Sequence, residues 1–328
     1  MIYQYKFTRF ISALVISSTL TLSACSVNPV SGKKEFSLIS KEQEVAMGAQ
    51  AHNDILKKTP AYNNAQLQGY VNSIGQQLAS KSHRNNIRYT FTVIDDPSVN
   101  AFALPGGYVY VTTGLLAYLN SEGELAGVLG HEIGHVTARH GVQQASAGVA
   151  ASVLIDLIAK KTGGASTLNQ LGSAILSGYG RDHELQADRL GAEYLARVGY
   201  SPKNMLDVIG VLKAQEQFAG RSSSYHGVFA SHPSNDRRLQ EVVNAAKHIS
   251  SAGTRPANRA AYLTQINGLK FRINKNQTGK IVIGNVASGT TFEALAQQSK
   301  VDAKRLRLLN GKFPNGQPSA GQLVKIVK

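Results

Sequence analysis

His131 and His135 lie four residues apart with Glu132 directly after the first, in the run His131-Glu132-Ile133-Gly134-His135. On a helix this spacing stacks both imidazoles on one face, one turn apart, so that a nitrogen of each can reach a single metal ion. It is the H-E-x-x-H zinc pattern, with the glutamate placed to act as a general base. The surroundings predict such a helix. Ser121 with Glu124 reads as a capping box, and Leu125, Val128, Leu129, Ile133 and Val136 follow at helical spacing. Two histidines inside so apolar a helix are costly to bury unless they bind something.

A catalytic zinc takes three protein ligands and keeps one position open. The candidate for the third is Glu184, in the segment Arg181 to Arg189, with Asp188 one turn further on. A second carboxylate beside the ligands suits the hydrogen bond that a ligating histidine makes through its other nitrogen. Spacing alone equally allows a solvated acidic face, with Glu184 and Asp188 pairing to Arg181 and Arg189.

Three segments extend the pattern: Asn100-Ala101-Phe102-Ala103-Leu104-Pro105-Gly106-Gly107, Glu184 to Asp188, and Ser231-His232-Pro233 with Arg238. With the zinc run, they resemble the gluzincin metallopeptidases of the HtpX and BepA type, peptidase family M48, over about residues 40 to 248. The resemblance implies one zinc ion per chain, held by His131, His135 and Glu184, with Glu132 as the base and Asp188 beside the ligands. It also implies that Asn100 leads into a strand next to the cleft, and that His232 and Arg238 stand near the metal. There His232 could stabilise an oxyanion or occupy the open position, while Arg238 could clamp charge. The strand expected at Tyr108, Val109, Tyr110 and Val111, if it forms a sheet edge, would pair with an extended peptide by β-addition. His52, His83, His140, His183, His226 and His248 belong to no motif. His140, five residues after His135, is expected to point away from the metal.

The front of the chain indicates export. Lys6 and Arg9 precede a mostly apolar stretch from Phe10 to Leu22, which reads as a secretory signal too short for a membrane span. Leu22-Ser23-Ala24-Cys25 resembles a bacterial lipobox, so residues 1–24 are expected to be a lipoprotein signal peptide and Cys25 the lipidated residue, anchored at the outer membrane facing the periplasm. Cys25 is the single cysteine, so no internal disulfide can form.

The elements that must position these residues fall into unequal parts. Residues 25–39 read as a tether, 40–250 as the metallopeptidase domain, 251–268 as a linker and 269–328 as a small basic module. In the first domain, Ser40 with Gln43 opens one helix, and Leu67, Tyr70, Val71, Ile74 and Leu78 mark another. Ile87, Tyr89, Phe91 and Val93 alternate as a strand, and Ser201-Pro202 opens a later helix. The fold class is α+β: a helix-dominated zincin-type domain with a small sheet, plus a small βααβ domain. Residues 142–178 are rich in Ala, Gly and Ser; they read either as core or as a lid hinged at Gly163-Gly164 and Gly178.

From Ala260 to Lys328 there are eleven Lys and Arg against two acids, a net +9 of the chain's +15. Gly289 to Ala296, Leu309-Asn310 and Gly321 to Ile326 resemble a LysM module, which implies peptidoglycan binding. An anionic lipid surface suits the charge equally. Nucleic acid does not fit, since the exported compartment lacks it and no aromatic stacking platform is visible. The leading expectation is a metalloendopeptidase acting on unfolded or misassembled envelope proteins. Two others stand beside it: a peptidoglycan-docked, chaperone-like binding lipoprotein with a latent metal site, and a hydrolase of cell-wall peptide cross-links. With all the chemistry placed before Ser250, the basic module is expected to be separable from the site.

Overall fold

The structure is a computed structural model that describes residues 25–148, 179–219, 242, 244 and 253–328. Residues 1–24, the segment 149–178 with its hinge glycines, His226, His232, Arg238 and His248 lie outside the described residues. Among the described residues, no helix is long and apolar enough to cross a membrane.

The described residues begin with a two-stranded hairpin, β1 (Cys25–Val27) and β2 (Lys34–Phe36), followed by helices α1 (Lys41–Lys58) and α2 (Ala65–Ala79). The capping box at Ser40 and Gln43 is complete. Residues 25–39 are therefore no free tether. Gln143 donates to Glu35, the Leu38 amide donates to Ser146 Oγ, and Arg139 donates to the Ile39 carbonyl, which stitches the hairpin and its exit to the segment after the zinc-motif helix.

A three-stranded sheet follows, built from β3 (Thr90–Ile94), β4 (Ala101–Leu104) and β5 (Tyr108–Thr112) in the order β3-β5-β4. β5 runs parallel to β3 and antiparallel to β4. The alternation from Ile87 places this first strand too early. Pairing starts at Thr90 opposite Tyr108, and Phe91 to Ile94 are all buried, because helices and core cover both faces. The larger correction concerns the substrate strand. Tyr108, Val109 and Tyr110 lie in the central strand, whose backbone edges are both taken up by neighbours, so it cannot accept an added strand.

After the short helix α3 (Thr113–Tyr118), the zinc-motif helix α4 (Glu122–Thr137) runs through the centre of the molecule with every residue buried. Ser121 caps it by accepting from the Glu124 amide. The Glu124 carboxylate turns to the Asn120 amide rather than that of Ser121, so the expected box is offset by one residue. Around α4 pack α2, β4, α5 (Arg181–Arg197) and α6 (Lys203–Ala219). Glycines set how closely they come. A Cβ on Gly123 would meet the Asn204 side chain of α6 at 2.4 Å, and one on Gly191 of α5 would meet the His131 amide nitrogen at 2.9 Å. With no side chains at Gly130, Gly134 and Gly191, α4 and α5 approach almost backbone to backbone. That contact brings the two histidines of one helix to the acids of the other.

The C-terminal part contains helix α7 (Arg259–Gln265), an antiparallel sheet β6 (Lys270–Asn274), β7 (Gln277–Asn285) and β8 (Leu323–Val327), and helices α8 (Phe292–Ala296) and α9 (Ala303–Leu309). The strand, helix, helix, strand order expected after Val282 is present from β7 to β8, with β6 added at the edge. It is not an appended unit. Part of the expected linker is α7, whose Tyr262 and Leu263 are buried, and one hydrophobic core runs from Leu67 through Leu129 to Phe271, Leu309 and Val327. Tyr262 donates to the Leu116 carbonyl at 2.6 Å, and Phe271 meets Tyr118 edge-on.

Candidate metal centre

His131, His135 and Glu184 meet where α4 crosses α5. His131 Nε2 lies 3.0 Å from His135 Nε2 and 3.6 Å from Glu184 Oε2, and His135 Nε2 lies 3.4 Å from Glu184 Oε1. A tetrahedral ion bonded at about 2.0–2.1 Å spaces its donors roughly 3.3 Å apart, so the set fits zinc. Donor chemistry agrees with the spacing. Burial holds His135 well below the usual histidine range against the opposing pull of Glu184, which keeps a lone pair available for a cation. Glu132, next to His131, is buried at 2% exposure.

The open alternative of a solvated acidic face is excluded by burial. Glu184 and Asp188 are fully buried, whereas Arg181 and Arg189 are exposed. Asp188 Oδ1 accepts from His131 Nδ1 at 2.8 Å, which turns the other nitrogen of that ring toward Glu184 and His135.

Sequence reasoning missed several residues at this centre. The Tyr179 ring lies flat on His135, with centroids 3.9 Å apart, and burial pushes its hydroxyl up. His140 does not point away; its Nδ1 is 2.9 Å from His135 Nδ1, and its ring stacks on His183. Glu44, also buried, binds Arg84 through both carboxylate oxygens and Arg139 at 2.9 Å, while Arg84 reaches the Val136 carbonyl at the end of α4. No local signal marks Glu44 or Arg84, since their partners come from distant segments. The one local signal in the sequence is the Arg139-His140 pair, which follows the zinc run after Val136, Thr137 and Ala138.

Asn100 precedes β4, and its amide donates to Thr112 Oγ1. Tyr110 is fully buried, with its hydroxyl 2.6 Å from His52 Nδ1 and its ring stacked on Phe102. Tyr108 stacks on His52. These two tyrosines thus brace α1 against the sheet, and His52, read as a residue without a motif, is their partner. His83 is held by the Tyr194 hydroxyl at 2.9 Å, away from the metal ligands.

Residues 65–246, more than half of the chain, match the family described as Peptidase family M48. The chain belongs to peptidase family M48. Among its relatives, the Beta-barrel assembly-enhancing protease of Yersinia pestis is 29% identical over 84% of this chain and 58% of its own length. The Metalloprotease YcaL of Escherichia coli is 34% identical over 51% of this chain and 72% of its own length. The Mitochondrial metalloendopeptidase OMA1 of Schizosaccharomyces pombe is 27% identical over 65% of this chain and 64% of its own. The chain spans about three fifths of the length of the assembly-enhancing proteases it matches, 58% and 61% in two of them. Family membership and the His-His-Glu centre agree that this M48 chain has the metal-binding machinery of a metalloprotease.

Proposed function

We propose that this M48 chain is a zinc-dependent endopeptidase that faces the periplasm and cleaves unfolded or misassembled envelope proteins. The observation that carries the reading is the convergence of His131, His135 and Glu184 beside the buried Glu132. A zinc ion held by these three ligands supplies Lewis acidity, which brings the pKa of water to about 7 and polarises a scissile carbonyl. The Glu132 carboxylate takes the proton of the attacking water and hands it to the leaving amine. Asp188 fixes the His131 tautomer by accepting its Nδ1 proton.

Substrate binds along β4 rather than β5. Among the described residues β4 is an edge strand of its sheet and packs against α4, so an extended chain adding to Ala101–Leu104 would lie beside the metal ligands. Recognition by backbone pairing favours whatever is locally unfolded. Resemblance to the family motif further assigns His232 to the open position or the oxyanion, and Arg238 to a charge clamp.

An envelope location draws on the apolar front of the chain, the lipobox-like Leu22 to Cys25 and the names of the assembly-enhancing relatives. In this reading Cys25 is lipidated at the outer membrane. The basic C-terminal part, similar to a LysM module, then contacts peptidoglycan or anionic lipid headgroups.

Zinc content and casein cleavage by the purified chain, beside Glu132→Gln, test the core of this proposal. The variant should keep stoichiometric zinc and lose turnover by about 100-fold or more. Equal turnover would sink the mechanism. Release of muropeptides without casein cleavage would favour the cell-wall hydrolase instead.

A further inference from the structure

The two histidines of the centre need the same thing and obtain it differently. An imidazole that offers Nε2 to a metal carries its proton on Nδ1, and that N–H needs an acceptor. For His131 the acceptor is Asp188, on α5. For His135, the atom found at Nδ1 among the described residues, at 2.9 Å, is Nδ1 of His140.

His140 reaches this position through a reversal of the backbone. α4 ends at Thr137, Arg139 adopts a left-handed conformation with φ of 58°, and a new helical segment starts at residue 140. A non-glycine residue is held there only by surrounding structure. Here Arg139 is gripped by Glu44 and the Ile39 carbonyl, contacts made 95 and 100 residues back along the chain. Continued as a helix, the chain would have carried His140 off the metal-facing side.

We infer that His140 is a positioning residue, which accepts the Nδ1 proton of His135 and so aims the Nε2 lone pair of that ring at the metal. The inference rests on the ligand assignment proposed above and deepens it. One pattern satisfies both ring nitrogens of His140. With Nδ1 accepting, the proton of His140 sits on Nε2, and Gln186 Oε1 lies 2.9 Å from it to receive the bond. The opposite pattern would put a proton on the metal-facing nitrogen of His135. His183 stacks on the His140 ring at 4.2 Å and 17°, which fixes the ring plane. Gln186 and His183 flank Glu184 on α5, so one helix supplies a ligand, the acceptor behind His131 and the support behind His135.

Two substitutions separate hydrogen bonding from packing. His140→Phe keeps a ring against His183 but offers no acceptor; His140→Asn loses the ring but places Oδ1 near the former Nδ1. Zinc affinity is measured by competition with a chromophoric chelator, and thermal unfolding of the metal-free proteins checks that each folds. His140→Phe should lose affinity by about 10 to 100-fold, and His140→Asn should recover most of it. Long-range nitrogen–proton correlation on the zinc-loaded wild type should show His135 protonated at Nδ1 and His140 at Nε2. Wild-type affinity in His140→Phe, or an Asn variant as weak as Phe, would overturn the inference. If His140→Phe fails to fold, comparison of His140→Asn with His140→Ala decides the same point. A wild-type chain without stoichiometric zinc would instead overturn the ligand assignment, and this inference with it.

Discussion

Lys325, on the last strand, donates through Nζ to the carbonyl of Leu119, 206 residues earlier, at 2.8 Å, and to that of Ala117 at 2.9 Å. These carbonyls close helix α3, immediately before the Ser121 cap of the zinc-motif helix. The ammonium is fully buried, and burial drives its pKa well down. Such a contact is worth keeping only if both parts fold as one.

Truncation after Ser250 is therefore expected to fail as a clean excision. It removes Lys325, Tyr262 and Phe271 from a shared core and leaves the carbonyls of Leu116, Ala117 and Leu119 without these donors. Lys325→Met should cost about 2–4 kcal/mol by itself, read as a lowered Tm. A truncated chain with unchanged Tm and zinc content would show that the two parts are independent.

Stability should also respond to pH through Glu124. Burial pushes its carboxyl up to about 7, from an ordinary value of 4.5, with the Asn120 amide and then Lys325 and Arg259 pulling the other way. The folded state therefore holds this proton more tightly than the unfolded chain. The stabilising contribution is complete below about pH 4.5 and lost as pH rises through 7, on the order of 3 kcal/mol. Glu124→Gln should flatten the stability profile across that window. An identical slope in chemical denaturation of the variant would assign the dependence to another group.

Glu184→Ala should lower zinc content far below that of an exposed control such as Glu216→Ala, because it removes a buried donor at the centre. Asp188→Asn should weaken affinity by about 10 to 100-fold while leaving the ligands in place. Stoichiometric zinc in Glu184→Ala at low free metal would move the third ligand elsewhere.

Gly191→Ala tests the helix crossing. The added methyl would meet the His131 amide nitrogen at 2.9 Å and the Gly130 carbonyl carbon at 3.1 Å, both backbone atoms that cannot step aside alone. Forcing α4 and α5 apart should cost about 1–3 kcal/mol and reduce zinc affinity, since ligands sit on both helices. Gly210→Ala, at an open position on α6, should do neither. Loss of stability with zinc affinity unchanged would show that the ligands tolerate a wider crossing.

Local spacing determined much of this protein. The i,i+4 histidines, the Ser121 and Ser40 caps and the apolar periodicities of α2 and α4 depend on neighbours within a few residues, and all form the expected helices. Pairing Glu184 with Asp188 was also local, but their burial was not: it needs the whole of α4 laid against α5. Tertiary structure alone decided which strand is the edge, because strand order is set by partners distant in sequence, and it moved the candidate substrate strand from Tyr108–Tyr110 to Ala101–Leu104. It likewise turned the hairpin of residues 25–36 and the basic C-terminal part from appendages into pieces of the packed fold. His140 shows the physical reason most directly: five residues of ideal helix would carry it away from the metal, and a left-handed Arg139, held by Glu44 from far along the chain, brings it back onto His135.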